Sequence, residues 1–483
     1  MTEQIEQAMS FICKDITIDV AQEDPFKEDK LDRAKLAPIL TSIADVYADS
    51  GAVLAIDGEW GSGKTTFVRM WRQYLINNGY KTLYFNAWET DFIEDPLIAL
   101  MGELKEVIGT DSNFETLVKN LGPISLKVGS EILKTSVKKR TGLDSDCIKA
   151  GIDEATEVFQ EKIKSYNKRK VELEEFKNKL GEYVASVAIN SKHPIVFFID
   201  ELDRCNPHYA VKLLERVKHL FEVSNIIFVL AVNIKQLQYA IQGYYGSSNI
   251  DGQEYLKRFI DLNYTLPAPN LREYTDFLFE RHSFNDFFKH EARLAPDTKD
   301  DGERFLQIAK DLISYSNINL RFTNKIFAYT RIVLQEYSTT SRFPIGLLFL
   351  LCFIKITKPR LYGKIQNDEF TIQGLIDILE TELPQGLFNQ KSDHFVQLHL
   401  CWPIATLILR YNYSSPGIPR EKNFEEKAMN LNGVKKFPIQ TKKLDKQELD
   451  KALNYYSNGR DPYYSYGLKD MLNRINLTNN LHI

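Results

Sequence analysis

The chain has 483 residues, of which 43% are hydrophobic and 26% charged, with a formal net charge of −4 at pH 7. That length accommodates roughly two to four domains, and that composition an ordinary core of sizeable extent. The slightly acidic balance argues against a globally basic nucleic-acid binder and leaves only a local basic face as a route to that class.

In chain order, the opening stretch "MTEQIEQAMSFICKDITIDV" is acidic and lacks a basic flank with an apolar core, so it reads as no signal peptide. Residues 1–25 are an N-terminal segment. Five apolar or β-branched runs then read as strands: "VLAID" (53–57), "TLYFNAW" (82–88), "PIVFFID" (194–200), "IIFVLAV" (226–232) and "LNYTLP" (262–267). Most are apolar almost throughout, as expected of strands covered on both faces of a parallel sheet. The helical stretches between them give the rhythm of a doubly wound α/β domain.

The interval between the second and third runs is long, and about 105–190 reads as a helical insertion. Its charged part, "DEATEVFQEKIKSYNKRKVELEEFKNKLGEYVASVA", places Val158, Ile163, Leu173, Phe176 and Leu180 on one stripe. A solvated helix packing that stripe is preferred to a coiled-coil partner site. After residue 268 no further strand run is convincing. The segments to about 370 carry apolar residues at helical period and read as a helical lid. Residues 371–483 read as a mostly helical tail domain. The greasiest run, "FPIGLLFLLCFI" (343–354), is too short to span a bilayer, which needs about 20 residues, and reads as a buried helix.

Cysteines stand at 13, 147, 205, 352 and 401 with no CxxC pair, and their odd number disfavours a disulfide framework. A reducing cytoplasm is the simplest setting.

The first strand runs directly into Gly58-Glu59-Trp60-Gly61-Ser62-Gly63-Lys64-Thr65, which satisfies G-x-x-x-x-G-K-[ST]. Glycines let the backbone turn with its N–H groups pointing inward, an anion nest. A helix starting near Gly63 and carrying Thr66 in its first turn adds its positive dipole end. Lys64 is placed to reach the β- and γ-phosphates, and the Thr65 hydroxyl to ligate Mg²⁺. The third strand ends in Asp200-Glu201. Asp200 can hold the metal's shell, and Glu201 is placed to polarise the attacking water. These residues point to Mg²⁺-dependent nucleoside triphosphate hydrolysis. The bland alternatives are a glycine-rich turn and two solvated acids at a strand end.

With those pieces in order, the chain resembles the KAP family of P-loop NTPases. "DKLDRAKLAPILTSI" resembles the family's helix before the first strand, and "GEWGSGKTT" has its Trp within the phosphate loop. "YFNAWE" resembles its Asn-Ala-Trp motif, here Asn86, Ala87 and Trp88. "FIDELDRCNP" is similar to its extended Walker B, and "NINLRFTNKI" to a lid motif that usually reads Asn-Pro-Arg. The resemblance covers about 26–370. Asn233 stands where the family usually has Asp, which leaves it as a sensor candidate. Leu320 replaces the usual Pro, which leaves Arg321 as the candidate lid arginine, with Arg258 a weaker one.

The resemblance implies ATP, since no Asn-Lys-x-Asp guanine reader is present. It also implies a branch without membrane spans, because Lys119, Lys127, Glu131 and Lys134 interrupt the stretch where many members carry them. It further implies a signalling or regulatory ATPase of bacterial antiphage defence, working as a homo-oligomer or with a separately encoded effector protein. A nucleic-acid-remodelling motor is the alternative, resting on "GVKKFPIQTKKLDKQ" and the tyrosines of "YYSNGRDPYYSYG". An ATP-binding scaffold without turnover is a third. Trp60 and Trp88 either pack beside the phosphate loop or stack on a base. Asp203 and Arg204 either cap the next helix through an ion pair or place Arg204 near a neighbouring subunit's γ-phosphate.

Overall fold

All five strand runs form strands, and they make one parallel sheet. In this computed structural model, the described residues are 19–93, 192–218, 223–388, 394–413, 428–431, 434–460 and 466–477, with a few single positions between these stretches. The expected insertion at about 105–190 lies outside the described residues except at a few positions. The chain divides into two compact units, one over Ile18–Pro267 and one over Ala268–Ile483.

The first unit runs α1 (Leu36–Val46), β1 (Ala52–Asp57), α2 (Lys64–Asn77), β2 (Thr82–Asn86), β3 (Ile195–Asp200), α3 (Pro207–Lys218), β4 (Ile226–Val232), α4 (Ile234–Tyr245), α5 (Gly252–Leu256) and β5 (Leu262–Thr265). Strand order is β2-β3-β4-β1-β5. β3 and β4 are buried along their whole length and β1 along all but its last residue, which is why these runs lack alternation. The partly exposed edge strand β5 does alternate.

Each face has its own core. Leu54, Ile56, Val196, Phe198, Ile227 and Val229 pack under α1 and α2, around Phe67, Trp71 and Leu40. Fully buried Trp71 meets Phe198 edge to face at 5.3 Å and donates from its indole nitrogen to Thr41 Oγ1 at 3.0 Å. Val53, Phe197, Ile199, Phe228 and Leu230 face the other way, against Tyr209 and Leu213 of α3 and Leu237 and Ile241 of α4.

The helix after β1 therefore covers one face and the helix after β4 the other. β1 and β4 are hydrogen-bonded neighbours, with Asp57 opposite Val232. The chain departs from their carboxyl ends in opposite directions, and ligands of open α/β sheets bind in the crevice at such a switch point. Asp200 pairs with Ala231 on the other side of β4, so β1, β4 and β3 end level with one another.

The second unit is helical: α6 (Leu271–Arg281), α7 (Phe284–Phe288), α8 (Asp301–Ser314), α9 (Leu320–Gln335), α10 (Ile345–Thr357), α11 (Pro359–Gln366), α12 (Ile372–Glu382), α13 (His394–Asn412), α14 (Lys446–Tyr455) and α15 (Leu468–Leu477). Phe279, Phe284, Phe288, Phe305, Phe327 and Phe349 pack ring against ring at its core. The greasy run is the buried helix α10, and among the described residues no helix is long and apolar enough to cross a membrane.

Reading no strand beyond residue 268 overlooked an antiparallel pair, β6 (Met429–Leu431) with β7 (Val434–Lys436). Three-residue strands are too short to display a period. The Asn-Gly between Leu431 and Val434 in the sequence was the available signal for a two-residue hairpin connection.

Candidate functional site

The loop from Gly58 to Gly63 leaves β1 and feeds α2. Gly58 N–H donates to the Val232 carbonyl at 3.3 Å, tying the loop's first residue to the end of β4. Gly61 and Gly63 have φ of 75° and 85°, where a Cβ would be strained. A Cβ on Gly58 would lie 2.9 Å from Ser62 Oγ, so a side chain there would displace the Ser62 hydroxyl. Gly63 is the N-cap of α2 with no side-chain cap, and that helix end offers its unpaired N–H groups to the loop.

Lys64 is buried to 8% exposure. Its Nζ donates to the carbonyls of Gly58 at 2.5 Å and Glu59 at 3.1 Å. Burial lowers its pKa, opposed by Asp203, Asp200 and Asp57.

Asp200 ends β3 at 1% exposure. Its Oδ1 accepts from Glu201 N–H at 2.8 Å and its Oδ2 from the Tyr84 hydroxyl at 2.8 Å. The Thr65 hydroxyl stands near enough to this carboxylate to favour its ionised form. Burial drives the Asp200 pKa up, and Tyr84, Thr65 and the Glu201 N–H oppose it.

Glu201 has φ of 59°, a left-handed conformation rare for glutamate, and such outliers cluster at functional sites. It pairs with Arg204 at 2.9 Å and accepts from Asn86 Nδ2 at 3.5 Å. Burial raises its pKa, Arg204 pulls it back and Asp200 reinforces the rise. The expected Asp203–Arg204 partnership is replaced. The turn Leu202–Arg204 is a 3₁₀ helix, whose spacing of three brings Arg204 over Glu201. Asp203 Oδ2 instead accepts from the Trp60 indole at 2.5 Å.

Trp60 and Trp88 remain 41% and 52% exposed, and the Arg204 guanidinium lies 5.8 Å from the Trp88 ring. Asn233 caps α4 through its side-chain oxygen, which accepts from Gln236 N–H at 3.1 Å, so only its amide nitrogen is left as a sensor donor. Arg258 stands beside Tyr255 at 5.9 Å. Arg321 lies in the first turn of α9 in the helical unit, behind the N-cap Asn319.

The sequence reading missed two participants. Arg33 is 2% exposed and donates to the carbonyls of Ser62 at 2.7 Å, Gly63 at 3.1 Å and Pro267 at 3.5 Å. Burial pushes its pKa down to about 10, with Asp29 opposing. Asp29 also receives the N–H groups of Leu31, Arg33 and Ala34, fixing the turn that presents the guanidinium. The other is Tyr84. Each sits far in sequence from the group it touches, so spacing alone carried no signal.

The residues present fit a nucleotide and a hard cation. Ser62 Oγ is buried without a hydrogen-bond partner, inside a loop whose Gly61 and Gly63 take the left-handed backbone. One hydroxyl (Thr65) and one carboxylate (Asp200) make the oxygen set with which Mg²⁺ is held beside substrate phosphates.

In the stretches that suggested nucleic acid, several described side chains have partners within the chain. Lys442 pairs with Asp377 at 3.2 Å, Lys446 with Asp450, and Lys451 with Glu448 at 2.6 Å. Tyr455 and Tyr456 pack edge-on against Trp402, and Tyr466 against Tyr337 and Phe343. Tyr455 nonetheless remains 40% exposed. Residues 461–465 lie outside the described residues.

The sequence profile of the KAP family P-loop domain matches residues 34–336. The phage T7 exclusion protein of Escherichia coli (strain K12) is 23% identical over 271 residues, which are 52% of this chain and 35% of that protein. The chain thus spans about a third of the length of that relative. Among solved structures, the Aeropyrum pernix ORC2 protein in its ADPNP-ADP complexes aligns over 94% of this chain and 98% of its own, at 13% identity and a TM-score of 0.34. The Aeropyrum pernix ORC1 protein in complex with DNA aligns over 95% and 97%, at 14% identity and a TM-score of 0.33.

Proposed function

The chain belongs to the KAP family of P-loop NTPases, and from that premise we propose that it is a Mg²⁺-dependent ATPase whose nucleotide cycle drives a conformational or assembly change. The observation that carries hydrolysis over mere binding is the sequence Asp200-Glu201 at the end of β3, level with the end of β1 from which the phosphate loop departs. A second, half-buried carboxylate one residue past the first is superfluous in a cradle that only holds nucleotide.

In this reading the loop's N–H groups and Lys64 bind the triphosphate, and Thr65 and Asp200 hold the metal. When bound, Mg²⁺ supplies charge neutralisation on the phosphate oxygens. Glu201 accepts the proton of the attacking water, and its burial raises its basicity toward that task. Asn86 and Arg204 hold the Glu201 carboxylate in place. Arg321 is the candidate for countering charge on the γ-phosphate.

The biological role we propose is the signalling or regulatory ATPase of a bacterial antiphage defence system, acting with further copies of itself or a separately encoded effector. The support is the likeness to a protein named for phage exclusion. Phosphate release by the purified chain tests the chemistry. ATP with Mg²⁺ should be turned over, EDTA should abolish turnover, and DNA or RNA should leave the rate unchanged. Strong stimulation by nucleic acid would favour the remodelling motor instead. Plaque formation on hosts carrying the gene and its neighbours, wild type against Lys64→Ala, tests the defence role.

A further inference from the structure

We propose that Tyr84 is a positioning residue for the metal carboxylate, setting how Asp200 presents its oxygens to a divalent cation. This inference rests on the Mg²⁺-nucleotide reading of the site. Tyr84 lies in β2, two residues before Asn86, whose register partner across the ladder is Asp200. Alternate residues of a strand share a face. Tyr84 therefore stands on the side of the sheet that Asn86 also faces, one step back along the strand, and the length of a phenol spans the step. Its hydroxyl reaches Asp200 Oδ2 at 2.8 Å.

The phenol is itself held. Its ring packs against the core under α1 and α2. The guanidinium groups of Arg69 and Arg72, both on α2, lie 5.7 and 5.8 Å from its centroid, and Arg72 is anchored by donating from Nε to Thr82 Oγ1 at 3.3 Å. Helix α2 is the helix that begins with Lys64 and Thr65. One rigid piece thus carries the phosphate loop's hydroxyl at its start and, one to two turns on, the cations that fix Tyr84.

Asp200 is consequently gripped at both oxygens. Glu201 N–H holds Oδ1 and Tyr84 holds Oδ2, so the carboxylate plane is set. Ligating carboxylates that are hydrogen-bonded in this way lose metal affinity when the outer partner is removed, typically by about 10- to 100-fold. Without the Tyr84 bond, Oδ2 loses the hydrogen bond that fixes it and the carboxylate can rotate about χ2.

The test is calorimetric titration of the full chain with ATPγS at a series of Mg²⁺ concentrations. Tyr84→Phe keeps the ring and loses the hydroxyl. Its affinity for metal-free nucleotide should equal wild type, and the Mg²⁺ concentration giving half the metal's effect should rise about 10-fold. Asp200→Asn should raise that midpoint as well. Tyr84→Phe added to Asp200→Asn should shift it little further, because Tyr84 acts through Asp200.

A wild-type midpoint in Tyr84→Phe, with or without a lowered melting temperature, overturns the proposal and leaves a structural hydroxyl. Additive shifts in the double variant also overturn it. A wild-type chain that binds no nucleotide overturns the site reading itself, and this proposal with it. Melting each variant without nucleotide reports its fold, and the Asp200 pair supplies the comparison should Tyr84→Phe alone be poorly folded.

Discussion

Arg33 donates from Nη2 to the Ser62 carbonyl oxygen at 2.7 Å and from Nη1 to that of Gly63 at 3.1 Å. In a trans peptide the carbonyl and the following N–H point opposite ways. Holding the oxygens of Ser62 and Gly63 on Arg33 therefore turns the N–H groups of Gly63 and Lys64 to the other side, where an anion nest needs them. Arg33→Ala is expected to lower unfolding free energy by about 2–4 kcal/mol, since it strips charged donors from buried carbonyls. It should also weaken nucleotide binding by about 10-fold or more, read by urea unfolding and calorimetry on one preparation. Arg33→Lys should recover only part, lacking the fork that reaches two carbonyls. Unchanged nucleotide affinity in a folded Arg33→Ala would reduce Arg33 to a core residue.

Lys64→Ala removes the charge expected opposite the triphosphate. Nucleotide affinity should fall well over 30-fold, about 2 kcal/mol or more. A loss within about threefold is under 1 kcal/mol, too small for a direct phosphate contact, and would contradict the assignment of the loop.

The Glu201–Arg204 pair makes a prediction with a sign. Burial raises the Glu201 pKa, and Arg204 is the largest effect opposing it. Arg204→Ala should therefore raise it further. A general base works deprotonated, so the acid limb of the pH profile of kcat/KM should move to higher pH. A limb that stays put, or moves down, would show that Glu201 does not set it.

In the helical unit, burial lowers the His282 pKa to about 4, while the Asn324 side chain, 2.8 Å from Nε2, opposes the shift. An unfolded histidine titrates near 6.5. Between those values the unfolded chain binds the proton and the folded chain does not. The stability from neutral His282 is thus fully present above about pH 6.5 and lost as pH falls toward about 4, up to about 3 kcal/mol. Urea midpoints at pH 7, 6 and 5 should fall less steeply in His282→Gln than in wild type. Equal slopes would assign the acid sensitivity elsewhere.

The sheet was legible because its central strands are buried on both faces, and continuous apolar runs such as "IIFVLAV" admit few other readings. The phosphate loop was legible because its function needs fixed residue types at fixed spacing. What the sequence hid was partnership across the fold. Nothing local marks Arg33, 29 residues before Ser62, or Tyr84, 116 before Asp200. The Arg204 contact was misjudged because adjacent Asp203 looked like its natural partner, whereas a 3₁₀ turn matches residues three apart. Asn233 looked like a departure from an acidic sensor, yet its side-chain oxygen makes a helix cap that Asn and Asp serve equally. The lysines of 435–451 read as a solvated surface in preference to a nucleic-acid face, and three of them, Lys442, Lys446 and Lys451, pair with acids on α12 and α14.

The central claim is that Glu201, held beside Asp200 and the phosphate loop, turns a nucleotide cradle into a hydrolase. Single-turnover hydrolysis of ATP by Glu201→Gln, with enzyme in excess and Mg²⁺ saturating, tests it most directly. Glutamine keeps the shape and loses the basicity, so the account predicts wild-type nucleotide affinity with phosphate formation slowed by about 100-fold or more. Phosphate formed at the wild-type rate by fully bound Glu201→Gln would contradict it.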